Sequence, residues 1–103
     1  MIEKLREVAD YCNANKIRLT LVCLPAHVDL QNRIQDYDLL KQWKETKRTL
    51  EAIAPMIDFN FPNQLTKDIK NFFDPFHTIK NVSREITKEI ITGEKKIARH
   101  TQP

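Results

Sequence analysis

Ile17-Arg18-Leu19-Thr20-Leu21-Val22-Cys23-Leu24 is short, mostly apolar and stopped by Pro25. Such a run predicts a strand, and its near-continuous apolar character suits a parallel strand covered on both faces. Upstream, Ile2, Leu5, Val8, Ala9 and Cys12 recur at helical spacing, which predicts an amphipathic helix from Ile2 to about Asn15. Downstream, residues 26–36 read as a polar loop. Asp36 or Asp38 can then cap a helix running to Ala54, with Leu39, Leu40, Trp43, Leu50, Ile53 and Ala54 as its buried stripe. Lys41, Lys44, Glu45, Lys47, Arg48 and Glu51 are expected to face water. Pro55 closes that helix, and Met56-Ile57-Asp58-Phe59-Asn60-Phe61 predicts a second strand, stopped by Pro62-Asn63. Asp58 alternates with apolar residues there and reads as a solvent-facing or sheet-end carboxylate. Helix, strand, helix, strand is the order of a parallel sheet with right-handed crossovers.

Leu65 to Phe73 fits either a short helix or an ordered loop. Val82, Ile86 and Ile90 repeat every four residues and predict a helix from about Asn81 to Thr92, capped by Asn81 and Gly93. Residues 94–103 read as a basic, frayed tail. The expected fold is therefore α/β: part of a doubly wound, flavodoxin-like three-layer arrangement, with two parallel strands and about three helices. Two parallel strands alone leave both sheet edges open, so the sequence implies a partner, either a missing N-terminal half or a second copy.

Composition narrows the function. The 103 residues are 41% hydrophobic and 30% charged, an ordinary globular balance. A formal charge of +3, with both signs interspersed, is too mild to predict nucleic-acid binding. No stretch reads as a signal peptide or a membrane span, so the sequence assigns no compartment. Cys12 and Cys23 form neither a metal-type pair nor a disulfide framework, and read as buried thiols. With one glycine, Gly93, the chain lacks the tight glycine turns of an α/β active site, and no cofactor or metal is expected.

Asn71-Phe72-Phe73-Asp74-Pro75-Phe76-His77-Thr78 is where chemistry concentrates. Asp74 sits three residues before His77, among aromatics, just beyond the last predicted strand. An Asp so placed can hold an imidazole in one tautomer and free its other nitrogen to accept a proton. The alternative is that Asp74 caps a turn begun by Pro75, with His77 a surface residue. Cys23 is a rival nucleophile, though its apolar neighbours point to burial. His27 and Asp29 could join the pair at a metal, without any spacing characteristic of zinc. Trp43 with Phe72 and Phe73 could stack bases, and Lys95, Lys96, Arg99 and His100 could touch anionic surfaces. Core packing and a solvated charge run are the default readings of these two groups.

The block Asp74-Pro75-Phe76-His77 resembles the Asp-x-x-His block of the SGNH (GDSL-like) hydrolases, which lies after the last sheet strand, before a closing helix. Ile57-Asp58-Phe59, Asn71-Phe72-Phe73 and Leu24-Pro25-Ala26-His27 are similar to a bacterial branch of that family, and the resemblance spans roughly residues 17–91. It implies that His77 is the general base and Asp74 its orienting partner. Thr78 and Ser83 depart from the aromatic residue and the glycine usual at those positions. The family's Gly-Asp-Ser block and its oxyanion-hole Gly and Asn blocks have no counterpart, and Ser83, the only serine, falls on a helix. By this resemblance residues 1–93 are the C-terminal half of an SGNH-like ester hydrolase or acyltransferase, inactive alone. Its completed form would act on acylated carbohydrate or lipid esters. The alternative expectation is a stand-alone, self-associating structural or binding module without catalysis.

Overall fold

The computed structural model describes every residue from Met1 to Pro103. The apolar repeat at the start of the chain winds α1 (Ile2–Ala14), which buries Ala9 and Cys12. Lys16, at φ 55°, turns the chain out of the helix. There follow β1 (Leu21–Cys23), α2 (Val28–Asp36), α3 (Leu40–Ile53) and β2 (Met56–Asp58). A single 3-10 turn (Ile69–Asn71) leads into the hairpin β3 (Phe72–Asp74) and β4 (His77–Thr78), then α4 (Lys80–Thr92) and β5 (Arg99–Thr101). Gly93 ends α4 in the left-handed region at φ 73°, the conformation its lack of a Cβ permits.

β1 and β2 run parallel, with Leu21, Val22 and Cys23 opposite Met56, Ile57 and Asp58. β5 lies antiparallel on the other edge of β2, so the sheet is mixed, in the order β1-β2-β5. The fold is thus α/β, with four α-helices rather than about three and three strands, β3, β4 and β5, not foreseen. Residues 26–36 are not a loop. Val28, Leu30 and Ile34 are enough to seat α2, and His27 caps it by accepting the Asp29 N–H on Nδ1.

Nor is the segment 94–103 frayed. Glu89 is 4% exposed, and its Oε1 accepts the N–H groups of Lys96, Ile97 and Ala98 at 2.6, 2.7 and 3.2 Å. That turns the chain back onto the open edge of β2, where backbone pairing completes the strand. The strands are shorter than the apolar runs because only three residues of each find a parallel partner. The foreseen caps also differ. Leu39 and Ile79 hold the N-cap positions of α3 and α4 without side-chain bonds, while Asp38 takes φ 61° just ahead of α3.

β2 is buried throughout. On one face Ile57 packs with Phe59, Leu65, Phe72, Ile86 and Ala98, against Val82 and Ile90 of α4. On the other, Asp58 is 3% exposed, and its Oδ2 accepts from Lys47 Nζ at 2.7 Å. Lys47 also donates to the Asn60 carbonyl at 2.6 Å. Lys47 therefore does not face water. Of the two readings of Asp58, the sheet-end one holds, since it is the last residue of β2. The solvent-facing one is corrected: Lys47 carries its charge inward to the carboxylate. Coverage on both faces holds for β2 but not for β1, where Val22 stays exposed, as does Leu24 just beyond the strand.

Lys47→Met leaves Asp58 buried without its counter-charge and is expected to lower stability by about 3 kcal/mol in urea unfolding. Adding Asp58→Asn should recover a large part of that loss. A loss below about 1 kcal/mol for Lys47→Met would place the pair among solvent-screened ones and overturn the assignment.

Candidate active site

The β3–β4 hairpin places Asp74 directly opposite His77, across an irregular register. Pro75 is the first residue of the connection. Asp74 Oδ1 accepts the Phe76 N–H at 2.8 Å, closing an Asx-type turn. The same carboxylate meets His77 Nδ1 at 2.8 Å from Oδ1 and 2.7 Å from Oδ2. One carboxylate thus makes both the turn contact and the contact to the imidazole. The Phe73 ring stacks on His77, with centroids 5.7 Å apart and planes 9° from parallel.

The Phe76 N–H, foremost, lowers the Asp74 carboxyl below the usual aspartate range; burial opposes it, and the hydrogen bonds and charge of His77 add to the lowering. An ionised Asp74 can only accept, so Nδ1 donates to it, and in the neutral ring this tautomer leaves the lone pair on Nε2. No group of the chain hydrogen-bonds Nε2. His77 lines a groove of about 290 Å³ whose apolar walls include Leu24, Pro25, Phe76, Ile86 and Ile90.

Backbone contacts from both strand-end loops position this corner. The His27 N–H donates to the Pro75 carbonyl at 3.0 Å, and the Val28 N–H to the Thr66 carbonyl at 2.9 Å. Asn63 folds the loop after β2. Its side chain donates to the Phe59 and Phe61 carbonyls and accepts from the Leu65 and Thr66 N–H groups. Asn71 continues the chain by donating to the Leu65 carbonyl at 2.9 Å. These asparagines escape a sequence search for catalytic types; the Pro62-Asn63 pair is the one turn signal that marks them.

Thr78 and Ser83, the two departures from the family pattern, hydrogen-bond each other at 2.6 Å between hydroxyl oxygens. Ser83 therefore ties the first turn of α4 to β4, and its hydroxyl is already engaged. Cys23 lies 3.6 Å from Met56 Sδ, and burial, followed by the Asp58 charge, pushes its thiol pKa up. Such a thiol stays protonated and is a poor nucleophile. Cys12 is buried and free.

His27 does not join His77. It is 8% exposed, caps α2 and meets the edge of Phe72 at a centroid distance of 5.5 Å. It lines a separate cleft of about 500 Å³ with Asp29, Arg33, Phe73 and Asp74, on the Asp74 side of the corner. No three His, Cys, Asp or Glu side chains converge as metal ligands. No helix is long and apolar enough to cross a membrane. No family model matches the chain, and neither curated proteins nor solved structures offer a match.

Because its folded value is lowered, ionised Asp74 supports the corner above the usual aspartate range, and that support is lost as pH falls through the lowered value. Carbon-detected NMR should find the Asp74 carboxyl titrating below that range, with the His77 ring shifts moving alongside. Titration within or above the range would contradict the hydrogen-bonded turn.

Proposed function

We propose that the chain is the C-terminal part of an SGNH-like ester hydrolase or acyltransferase of the doubly wound, three-layer kind. His77 is its general base and Asp74 the partner that orients it. The observation that carries this reading is the Asp74 carboxylate 2.7 Å from His77 Nδ1, with Nε2 unpartnered beside an apolar groove.

A seryl hydroxyl at the groove would give its proton to Nε2 as its oxygen attacks the acyl carbonyl. The imidazolium would return that proton to the departing alcohol, and a water or acceptor hydroxyl, deprotonated in turn by Nε2, would release the acyl group. Asp74 keeps the Nδ1 proton in place and balances the charge that forms on the ring. The acyl group would come from an esterified carbohydrate or lipid.

The serine and the oxyanion donors have to come from polypeptide outside these residues. The sheet leaves a place for it. In the β1–β2 pairing, Leu21 and Cys23 bond to the β2 side, which points the N–H and C=O of Val22 outward. A segment that extended the sheet on this edge would also cover Val22, Leu24 and the groove. The same free edge favours a second reading, a self-associating module in which another copy fills it.

Alone, the chain is expected to hydrolyse p-nitrophenyl acetate no faster than free imidazole. Extended with the coding sequence upstream of Met1, it should turn over, and His77→Ala should then reduce the rate by about 10³-fold or more. Turnover by the chain alone that survives Ser83→Ala and vanishes in His77→Ala would defeat the missing-serine argument. An extended protein indifferent to His77→Ala would defeat the base assignment. A sharp dimer with cooperative unfolding, by light scattering and denaturation, would favour the module.

A further inference from the structure

A second cleft, of about 350 Å³, lies between α2, α3, the loop after β2 and β5, and the Asp74–His77 chemistry does not use it. Trp43 and Lys44 of α3, Asn32 and Gln35 of α2, Phe61 and Arg99 line it. The sequence brings Trp43 and the basic C-terminal segment to notice separately; β5 brings them together. No carboxylate lines the cleft.

Its cations differ in what they already hold. Lys47 reaches the cleft but is engaged by Asp58 at 2.7 Å and the Asn60 carbonyl at 2.6 Å. Lys44 and Arg99 take part in none of the chain's ion pairs, which join Lys4 to Glu7, His27 to Asp29, Lys47 to Asp58, His77 to Asp74 and Lys96 to Glu94. The Arg99 guanidinium lies 4.0 Å from the centre of the Phe61 ring. That contact takes up one face of the guanidinium and leaves its N–H fork, directed from the edges, for an oxygen-rich partner. Two free cations in a concave, acid-free wall sum to a positive potential, and side-chain amides add neutral donors beside them.

We propose that this cleft binds a phosphomonoester carried by a small organic molecule. A carboxylate has two oxygens for this donor set. A phosphoryl group presents three, carries the larger charge, and matches an Arg fork with a Lys point charge beside it. The volume suits a small organic body, which Trp43 and Phe61 would flank with apolar surface. A soluble phosphorylated metabolite and a phosphatidic acid headgroup share this chemistry. The inference is independent of the esterase reading.

The test is a titration of the whole ¹⁵N-labelled chain with glycerol 3-phosphate, then with vesicles of phosphatidylcholine with and without phosphatidic acid. Saturable shifts are expected at Asn32, Lys44, Phe61 and Arg99, weakening as salt rises. Lys44→Gln and Arg99→Gln should each lower affinity about tenfold, the loss of one charge-assisted hydrogen bond. Lys95→Gln, outside the cleft, should leave affinity unchanged. Arg99→Gln can also loosen β5; Lys44→Gln, on the exposed surface of α3, keeps the test decisive. Binding to glycerol 3-phosphate alone supports a soluble ligand, and added binding to phosphatidic acid vesicles supports the headgroup. No saturable shift at millimolar glycerol 3-phosphate, or shifts that Lys44→Gln leaves intact, would overturn the proposal.

Discussion

The ion pair between Lys47 and Asp58 is the constraint on which the rest of the structure depends. Taking both charges out of water is costly, and an apolar pair of the same shape can be as stable. What the charged pair provides is direction. Asp58 Oδ1 takes the Asn60 N–H at 2.8 Å, and Lys47 takes the Asn60 carbonyl. Asn60 Oδ1 in turn accepts the Ala26 N–H at 3.1 Å. Ala26 precedes His27, whose N–H holds the Pro75 carbonyl. One buried charge pair at the end of β2 thus sets the loop after β1, and that loop sets the β3–β4 hairpin. Each link is a group that, left buried and unmade, costs more than the bond is worth when made.

The same logic explains the division of labour across the sheet. Glu89 gathers three backbone N–H groups and so folds the C-terminal segment onto the outer edge of β2. That contact adds β5 to one side of β2 and carries Arg99 to Phe61. β1 receives no such neighbour on its outer side. The result is an asymmetric sheet, extended by an antiparallel strand beside the α2–α3 cleft and ending at a parallel strand beside the Asp74–His77 groove.

What the sequence made legible follows from the range of the interaction involved. α1 and the Gly93 stop rest on spacings within a few residues, and a pattern search finds them. Asp74 and His77 are also local: three residues and one proline bring them together, so their contact could be read in advance. α2 was hidden because its few apolar residues, Val28, Leu30 and Ile34, are diluted by polar ones. Lys47 looked like any solvent-facing lysine, because nothing local announces a carboxylate eleven positions later that it must reach. β5 depends on Glu89 capturing amides seven to nine residues away, together with the free edge of β2. Neither has a composition that names it. The anion cleft needs four separate elements in place before it exists at all.

The Asp74–His77 corner differs from the rest in its exposure. The two side chains are 40% and 66% exposed, so water screens the carboxylate from the ring it holds. If His77 acts as the proposed base, Asp74 would favour the right tautomer, but without the dry, preorganised surroundings that make proton transfer effective. The stacking of Phe73 and the turn at Phe76 fix direction, but neither removes water from Nε2. A segment of the proposed hydrolase that filled the free edge of β1 and lay over Leu24 and the groove would strengthen the coupling of Asp74 to His77 as it supplied a nucleophile. Completing the sheet and activating the base would then be a single structural event. On this reading, the open edge and the idle imidazole are two aspects of one unfilled interface.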